Sequence, residues 1–433
     1  LNSVRRTLAG LSVLSCLLAT TAVVAAPLNV ELKDLVTKHP KVLGATKTVT
    51  SSDQALQAAL GGYYPTIALT GTYGFEHINN PTRRSTNQDP WDLPRQEAGI
   101  TVTQKLFDKS LPASVRSARY TLLNSGIEAE RTTQETILEG IKAYVDVLKL
   151  SQLVSIAQSN VATIQEQAEL EDERVQRGSG ISLDVLRAKS HLKDARRRLV
   201  EFQRLQEEAF AKFYQTFDKA PEIGTMIDPE PPLDLLPPTL EEAIDIAQGE
   251  NPSVSSGNAQ IEIAAENKTT QAAAYLPTVN LVGAANYEKD NNVVIGIRRD
   301  ISVMVEASWE VFNGFATRAR VAGAAADYGA AKDNLDYVIR KVEEQVKIAW
   351  HELQTSRERL EILDNAVVIA QEVFDSTREL REEGAEDVLN VLDAERDVYL
   401  AQLEKVIANY DTKMAVYNLL YGMGRLTMQN LDN

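Results

Sequence analysis

Tyr275-Leu276-Pro277-Thr278-Val279, preceded by Glu250-Asn251-Pro252, restates Tyr63-Tyr64-Pro65-Thr66-Ile67, which is preceded at the same spacing by Lys38-His39-Pro40. Further along, Arg177-Gly178 followed by Asp184-Val185-Leu186-Arg187-Ala188 returns as Glu383-Gly384 followed by Asn390-Val391-Leu392-Asp393-Ala394. The offset between the copies is slightly shorter for the second pair than for the first. The second copy is therefore a few residues shorter, between Pro277 and Glu383, than the first is between Pro65 and Arg177. A period of roughly 200 residues is far longer than a solenoid unit and reads as tandem duplication of a domain-sized module.

Working outward from each proline, the chain first alternates. Ile67, Leu69, Gly71, Tyr73 and Phe75 fall on one face, with Ala68, Thr70, Thr72 and Gly74 on the other; Ala98, Ile100, Val102 and Leu106 oppose Glu97, Thr101, Thr103 and Lys105. In the second module Val279, Leu281, Gly283, Ala285 and Tyr287 repeat the pattern. Ile301, Val303, Val305, Ala307, Trp309 and Val311 do so too, opposed by Ser302, Glu306, Ser308 and Glu310. A period of two marks a strand with one apolar and one polar face, so each module carries one hairpin, over 66–107 and 278–312. The segments 77–95 and 288–299 are rich in Asn, Pro, Asp and Arg and are expected to be exposed loops.

Around the hairpins the periodicity is helical. No proline falls between Pro112 and Pro221 or after Pro277. Apolar residues recur at alternating steps of four and three, as in Val342, Val346, Ala349, Leu353 and then Leu360, Leu363, Val367, Ala370, Phe374, Thr377 and Leu380. This is a coiled-coil seam. A helix over 113–176 would be on the order of 100 Å long, and no single globular domain has room for it. Gly178 with Gly180, and Gly384, break the long helices. Returning helices then run through Leu186, Leu192, Leu199 and Phe202, and through Leu392, Val398, Leu403 and Val406. The expected layout is a signal peptide at 1–26 and a first repeat at 27–219 with its turn at 177–180. A proline-rich linker at 220–239, lying against the helices, then leads to a second repeat at 240–433 with its turn at 383–386.

Arg5-Arg6 ahead of the apolar run 7–26, which ends in Ala25-Ala26, reads as a Sec signal peptide. Pro27 disfavours cleavage directly after Ala26. The only cysteine, Cys16, sits in Val13-Leu14-Ser15-Cys16, a loose match to a lipobox, but the apolar sequence continues past it as an uninterrupted signal core would. Export without disulfides suits a bacterial envelope protein. The 45 basic and 61 acidic residues leave a net charge of −16, which disfavours a nucleic-acid partner and suits an electronegative, water-filled interior. At 44% hydrophobic residues, with no apolar run of transmembrane length beyond the signal, the membrane-spanning candidates are the strands. Four strands are too few to close a barrel, since the smallest membrane barrels have about eight, and lipid tolerates no open sheet edge. Several chains must pool their strands.

The double module, the Tyr-Leu-Pro-Thr lead into the hairpin, the exits Leu106-Phe107-Asp108 and Val311-Phe312-Asn313-Gly314 with Arg116 and Arg320 following, the Gly-then-Asp-Val-Leu-x-Ala turns and the closing 419–426 together resemble the TolC family of outer-membrane factors. The resemblance implies a mixed α/β membrane protein, with long antiparallel coiled-coil helices plus four strands per chain contributing to a trimeric twelve-stranded outer-membrane β-barrel. As a homotrimer in outer-membrane lipid it would meet a periplasmic adaptor (membrane fusion) protein driven by an inner-membrane ABC or proton-driven transporter. It would be a conduit with no cofactor, metal or catalytic residue.

The resemblance also carries site residues. Arg177, Gly178, Ser179 and Gly180, and Arg381, Glu383, Gly384 and Ala385, match the helical tips used for adaptor docking. A glycine at such a place also simply ends a helix, and both roles are compatible. Asp393 matches an acidic ring that closes the periplasmic entrance. Asn390 stands where a second acid is common and departs from that pattern, and Asp184 is its first-module counterpart. These three are the candidate pore constriction. An enzyme reading fails on its residues: His39, His77, His191 and His351 are scattered, without an HExxH pair or a cysteine partner. A periplasmic coiled-coil scaffold would explain the long helices but neither the strands nor the signal. Within the conduit class, the absence of a lipid-bearing cysteine favours type I protein secretion over multidrug or small-molecule efflux.

Overall fold

The computed structural model describes residues 27–77, 81, 85, 92–178, 180–291 and 295–431. The signal-peptide segment and Ser179 lie outside the described residues. One element order runs twice. Helices α1 (Leu28–Lys38) and α2 (Pro40–Gly61) lead into strands β1 (Thr66–His77) and β2 (Asp92–Phe107), then the long helix α3 (Ser110–Gln176) and its return α4 (Ser182–Phe217). The second pass is α5 (Leu240–Glu250), α6 (Pro252–Ala272), β3 (Thr278–Lys289), β4 (Ile297–Ser308), α7 (Ala316–Glu382) and α8 (Val388–Gly422), closed by the short α9 (Met428–Leu431).

Two helices precede each hairpin, and the prolines explain the break between them. A residue before proline is pushed out of the helical region, while proline itself suits a first helical position. His39 (φ −62°, ψ 128°) and Asn251 (φ −67°, ψ 125°) are both extended. Their side chains accept from the backbone N–H of Lys41 and Ser253, at 3.3 and 2.8 Å, capping α2 and α6.

Helices α3 and α7 contain 67 residues each, about 100 Å at 1.5 Å per residue. Helix α4 packs back along α3, and α8 along α7. The seam residues Val342, Val346, Ala349, Leu353 and Leu363 are buried; the others of that series are at least partly covered, except Leu380, which is exposed. The main core gathers at one level, where α1, α5 and the end of α8 meet the long helices. There Leu32, Ile137, Ile141, Tyr144, Tyr417, Leu419, Leu420 and Met423 are all sealed from solvent. The Tyr144 hydroxyl donates to the Ile227 carbonyl (2.9 Å) and accepts from its N–H (2.8 Å), tying the segment between α4 and α5 to α3.

The four strands form one antiparallel sheet in the order β1-β2-β3-β4. Asp92–Arg95, expected in a loop, belongs to β2 and pairs with Gly74–His77, and His77 Nδ1 lies 2.6 Å from Asp92 Oδ1 at the end of the ladder. In the second hairpin the strands likewise reach Lys289 and Ile297, so the loop is shorter than its composition suggests. At the other end β4 stops at Ser308 and leaves Trp309 and Val311 outside the strand.

Candidate functional site

The sheet concentrates the alternation onto one face. Ile67 sits opposite Val102, and Val102 opposite Gly283, which faces Val303; Leu69, Ile100, Ala285 and Ile301 form the next row. Leu281 and Val305 extend the same surface. These side chains lie open rather than in a core, Ile301 at 85% exposure and Leu69 at 76%. The opposite face carries Thr70, Gly99, Asn286 and Asp300 in one row. Strands β1 and β4 are the outer strands, each with a ladder on one side only. Where the strands meet the helices, Tyr63, Tyr64, Phe107, Tyr275, Trp309, Phe312 and Phe315 are exposed, a group of rings of the kind that sits at a membrane interface. Trp309 Nε1 donates to the Tyr275 carbonyl (3.1 Å), which fixes the indole beside the strand base. No helix among the described residues is long and apolar enough to cross a membrane.

At the far end stand the two tips. Arg177 closes α3 and Gly178 follows at φ +76°; Glu383 closes α7 and Gly384 follows at φ +82°. The Ala385 N–H returns to the Leu380 carbonyl (2.9 Å) and the Gly384 N–H to that of Arg381 (3.1 Å). This double bond pattern uses a left-handed residue to satisfy the last helical carbonyls, and glycine occupies it without a Cβ penalty. Helix α8 then starts at Val388, capped by Asp387. Gly180 is packed rather than open, since a Cβ there would lie 2.8 Å from the Val175 nitrogen.

The candidate constriction residues divide into two environments. Asp184 is buried and turned into the joint between the two helical hairpins. Arg187 lies 3.6 Å from Asp184 and also 3.6 Å from Asp387 at the start of α8, and Ala168, Ala188, Val388 and Leu392 form a small apolar cluster beside them. Asn390 and Asp393 lie on a more open face of α8. Asn390 donates through Nδ2 to Glu386, and Asp393 pairs with Arg396 at 2.9 Å.

The joint contains residues that motif reading missed. Glu171 of α3, with a side chain 5% exposed, accepts from Arg174 (2.9 Å) and faces Arg381 of α7 at 3.5 Å. Nothing marks Glu171 in the sequence beyond an acid on a covered helix face. Glu395 had a readable signal: it occupies the buried stripe Leu392, Glu395, Val398, Tyr399, Leu403, where an acid is out of place. Among the described residues no group of His, Cys, Asp and Glu is placed to hold a metal ion.

A sheet with one apolar face and two open edges, ringed by aromatics at its base and continued by helical hairpins of about 100 Å, defines an outer-membrane channel protein that reaches into the periplasm. The family described as outer membrane efflux protein matches residues 32–217 and 243–425. The chain belongs to that family. It is 26% identical over 383 residues to the outer membrane efflux protein BepC of Brucella suis, covering 88% of this chain and 81% of that one. It is 22% identical to the alkaline protease secretion protein AprF of Pseudomonas aeruginosa, covering 82% and 75%. Its fold matches the crystal structure of the outer membrane protein VceC of Vibrio cholerae with a TM-score of 0.79, at 16% identity and covering 92% and 96% of the two chains.

Proposed function

We propose that three copies of this chain close one twelve-stranded barrel in the outer membrane, and that their helical hairpins assemble into a tunnel across the periplasm. The observation that carries this reading is the four-stranded sheet with unpaired outer edges and a single apolar face. Lipid offers no hydrogen bonds to an open strand edge, so β1 of one copy needs β4 of the next, and three sheets make a circle of a size known for such barrels. The apolar face would then turn to lipid and the Thr70–Asp300 face to the lumen. The tips around Gly178 and Gly384 would dock a periplasmic adaptor linked to an inner-membrane ABC or proton-driven pump, and the chain would be a passive duct rather than an enzyme.

The cargo favoured is protein, by type I secretion, supported by the likeness to a protease secretion protein. The higher identity to an efflux protein favours small-molecule efflux as the second reading. Cross-linking and mass measurement of the purified protein in detergent test the architecture; a trimer with one pore per three chains is expected, and monomers that each conduct would overturn it. Deletion of the gene separates the cargoes. Loss of a secreted protein from the medium with unchanged drug susceptibility supports secretion, and the reverse outcome supports efflux.

A further inference from the structure

Between α3, α7 and α8, toward the tips from the main core, lies a cavity of about 280 Å³. Two of its lining residues present polar groups that the protein leaves unused. Glu395 is 7% exposed and Tyr399 4% exposed. Neither carboxylate oxygen of Glu395 nor the Tyr399 hydroxyl has a hydrogen-bond partner of normal geometry, although the Gln167 side chain of α3 approaches the carboxyl. Three buried acceptor atoms on two residues one turn apart are an uncommon cost, since each orphaned group forfeits its hydration. The rest of the lining, including Ser155, Ser159 and Asn160 of α3, Gln371 and Phe374 of α7 and Gln402 of α8, supplies neutral hydrogen-bonding groups, a ring and aliphatic side chains, with no second acid.

From this geometry we propose that the cavity binds a small organic monocation of the primary ammonium class, its N–H donors shared between the Glu395 carboxylate and the Tyr399 hydroxyl. A primary ammonium has three donors and one charge, matching three unused acceptor atoms and one carboxylate. A divalent metal ion would require several anionic or carbonyl oxygens, and only one carboxylate is present. Two cations of the chain act on the lining: Arg378 of α7 lies 5.7 Å over the Phe374 ring, and Arg198 of α4 acts electrostatically on Tyr399. Neither hydrogen-bonds to Glu395. From α3, Gln167 offsets part of the burial of the carboxyl, which nonetheless titrates at about 7 because desolvation dominates. Protons and the ammonium ion therefore compete for the same atoms near neutral pH.

The inference goes beyond the conduit reading, and a binding titration can fail while conductance and export persist. The test is calorimetric titration of ethylammonium chloride into the intact detergent-solubilised protein at pH 8, against matched sodium chloride. One site per chain is expected, with affinity about thirty-fold weaker at pH 5.5, where a carboxyl titrating near 7 is almost fully protonated. Glu395→Gln should abolish binding and Tyr399→Phe weaken it, while tetramethylammonium, which lacks N–H donors, should bind less well than ethylammonium. Should Glu395→Gln fail to assemble, Ser159→Leu, which fills the cavity from α3, carries the same expectation. Heats equal to those of sodium chloride, or ethylammonium binding that persists in a folded Glu395→Gln or Ser159→Leu protein, would overturn the proposal.

Discussion

Arg381, in the last turn of α7, lies 3.5 Å from Glu171 on α3, so an ion pair joins the helical hairpin of the second repeat to that of the first close to their tips. The contact is incompletely satisfied, because Arg381 Nε and Glu171 Oε2 are both buried without a hydrogen-bond partner. A joint of this kind holds the hairpins together and yields at modest cost.

Replacing Arg381 by Ala, or Glu171 by Gln, should weaken this joint by about 1–3 kcal/mol, the range for leaving a buried polar partner unsatisfied. If the joint restrains a closed entrance, single-channel recordings should show a higher resting conductance, with trimer stability in detergent little changed. An unchanged conductance would place the restraint elsewhere. The second clasp, from Arg187 to Asp184 and Asp387, should behave in the same direction when Arg187 is replaced.

The entrance charge gives a second prediction. If Asp393 of each copy faces the threefold axis, confinement weakens screening and the pore should select cations and be blocked from the periplasmic side by divalent ions. Arg396, 2.9 Å from Asp393, offsets part of that charge. Asp393→Asn should relieve the block, Asn390→Asp should deepen it, and Arg396→Ala should raise cation selectivity. Reversal potentials in a planar bilayer measure all three, and no change for Asp393→Asn would make it a solvated surface carboxylate.

Docking at the tips is tested by Gly384→Pro, which forces φ away from +82°, and by an insertion after Gly178. Each should spare the trimer and abolish export, since the sheet lies some 100 Å away. An assembly defect as large as the export defect would count against docking.

The long helices and the strands were legible because each follows one period over many residues: Val342, Val346, Ala349 and Leu353 are spaced for a seam and are buried. Where period and composition disagreed, reading failed. Pro94 and Arg95 look like loop residues, yet β2 continues through them because their partners Phe75 and Gly74 hold the ladder. Leu186 belongs by type to the inner face of α4 but is 66% exposed, whereas Asp184 is buried beside Arg187. Pairings such as Arg381 with Glu171 join residues far apart in the chain, and no local pattern announces them.

Gly140 offers a test of the core. A Cβ at this position would lie 2.5 Å from Leu35 Cδ2 and 2.9 Å from Leu32 Cδ2. Both leucines are buried and cannot move aside freely. Gly140→Ala should therefore destabilise the packing of α1 on α3 by about 1–3 kcal/mol, the usual cost of overfilling a core. Its gain in helix propensity, about 1 kcal/mol, is the smaller effect. A thermal melt that rises would show that α1 adjusts.

The last prediction concerns pH. Burial raises Glu395 from an ordinary 4.5 to about 7. Between these values the folded chain holds a proton that the unfolded chain has released, so stability falls as pH rises through this window. The contribution is fully present below about pH 4.5 and lost above about pH 7, worth roughly 3 kcal/mol per chain in the absence of ligand. Glu395→Gln cannot lose this proton, so at pH 8 it should melt higher than the wild type, and at pH 4 the two should converge. Melting curves of both proteins from pH 4 to pH 8, in a buffer free of amines, make the comparison. If the difference between them does not change with pH, Glu395 is hydrated in the assembled protein and ionises as an ordinary carboxylate.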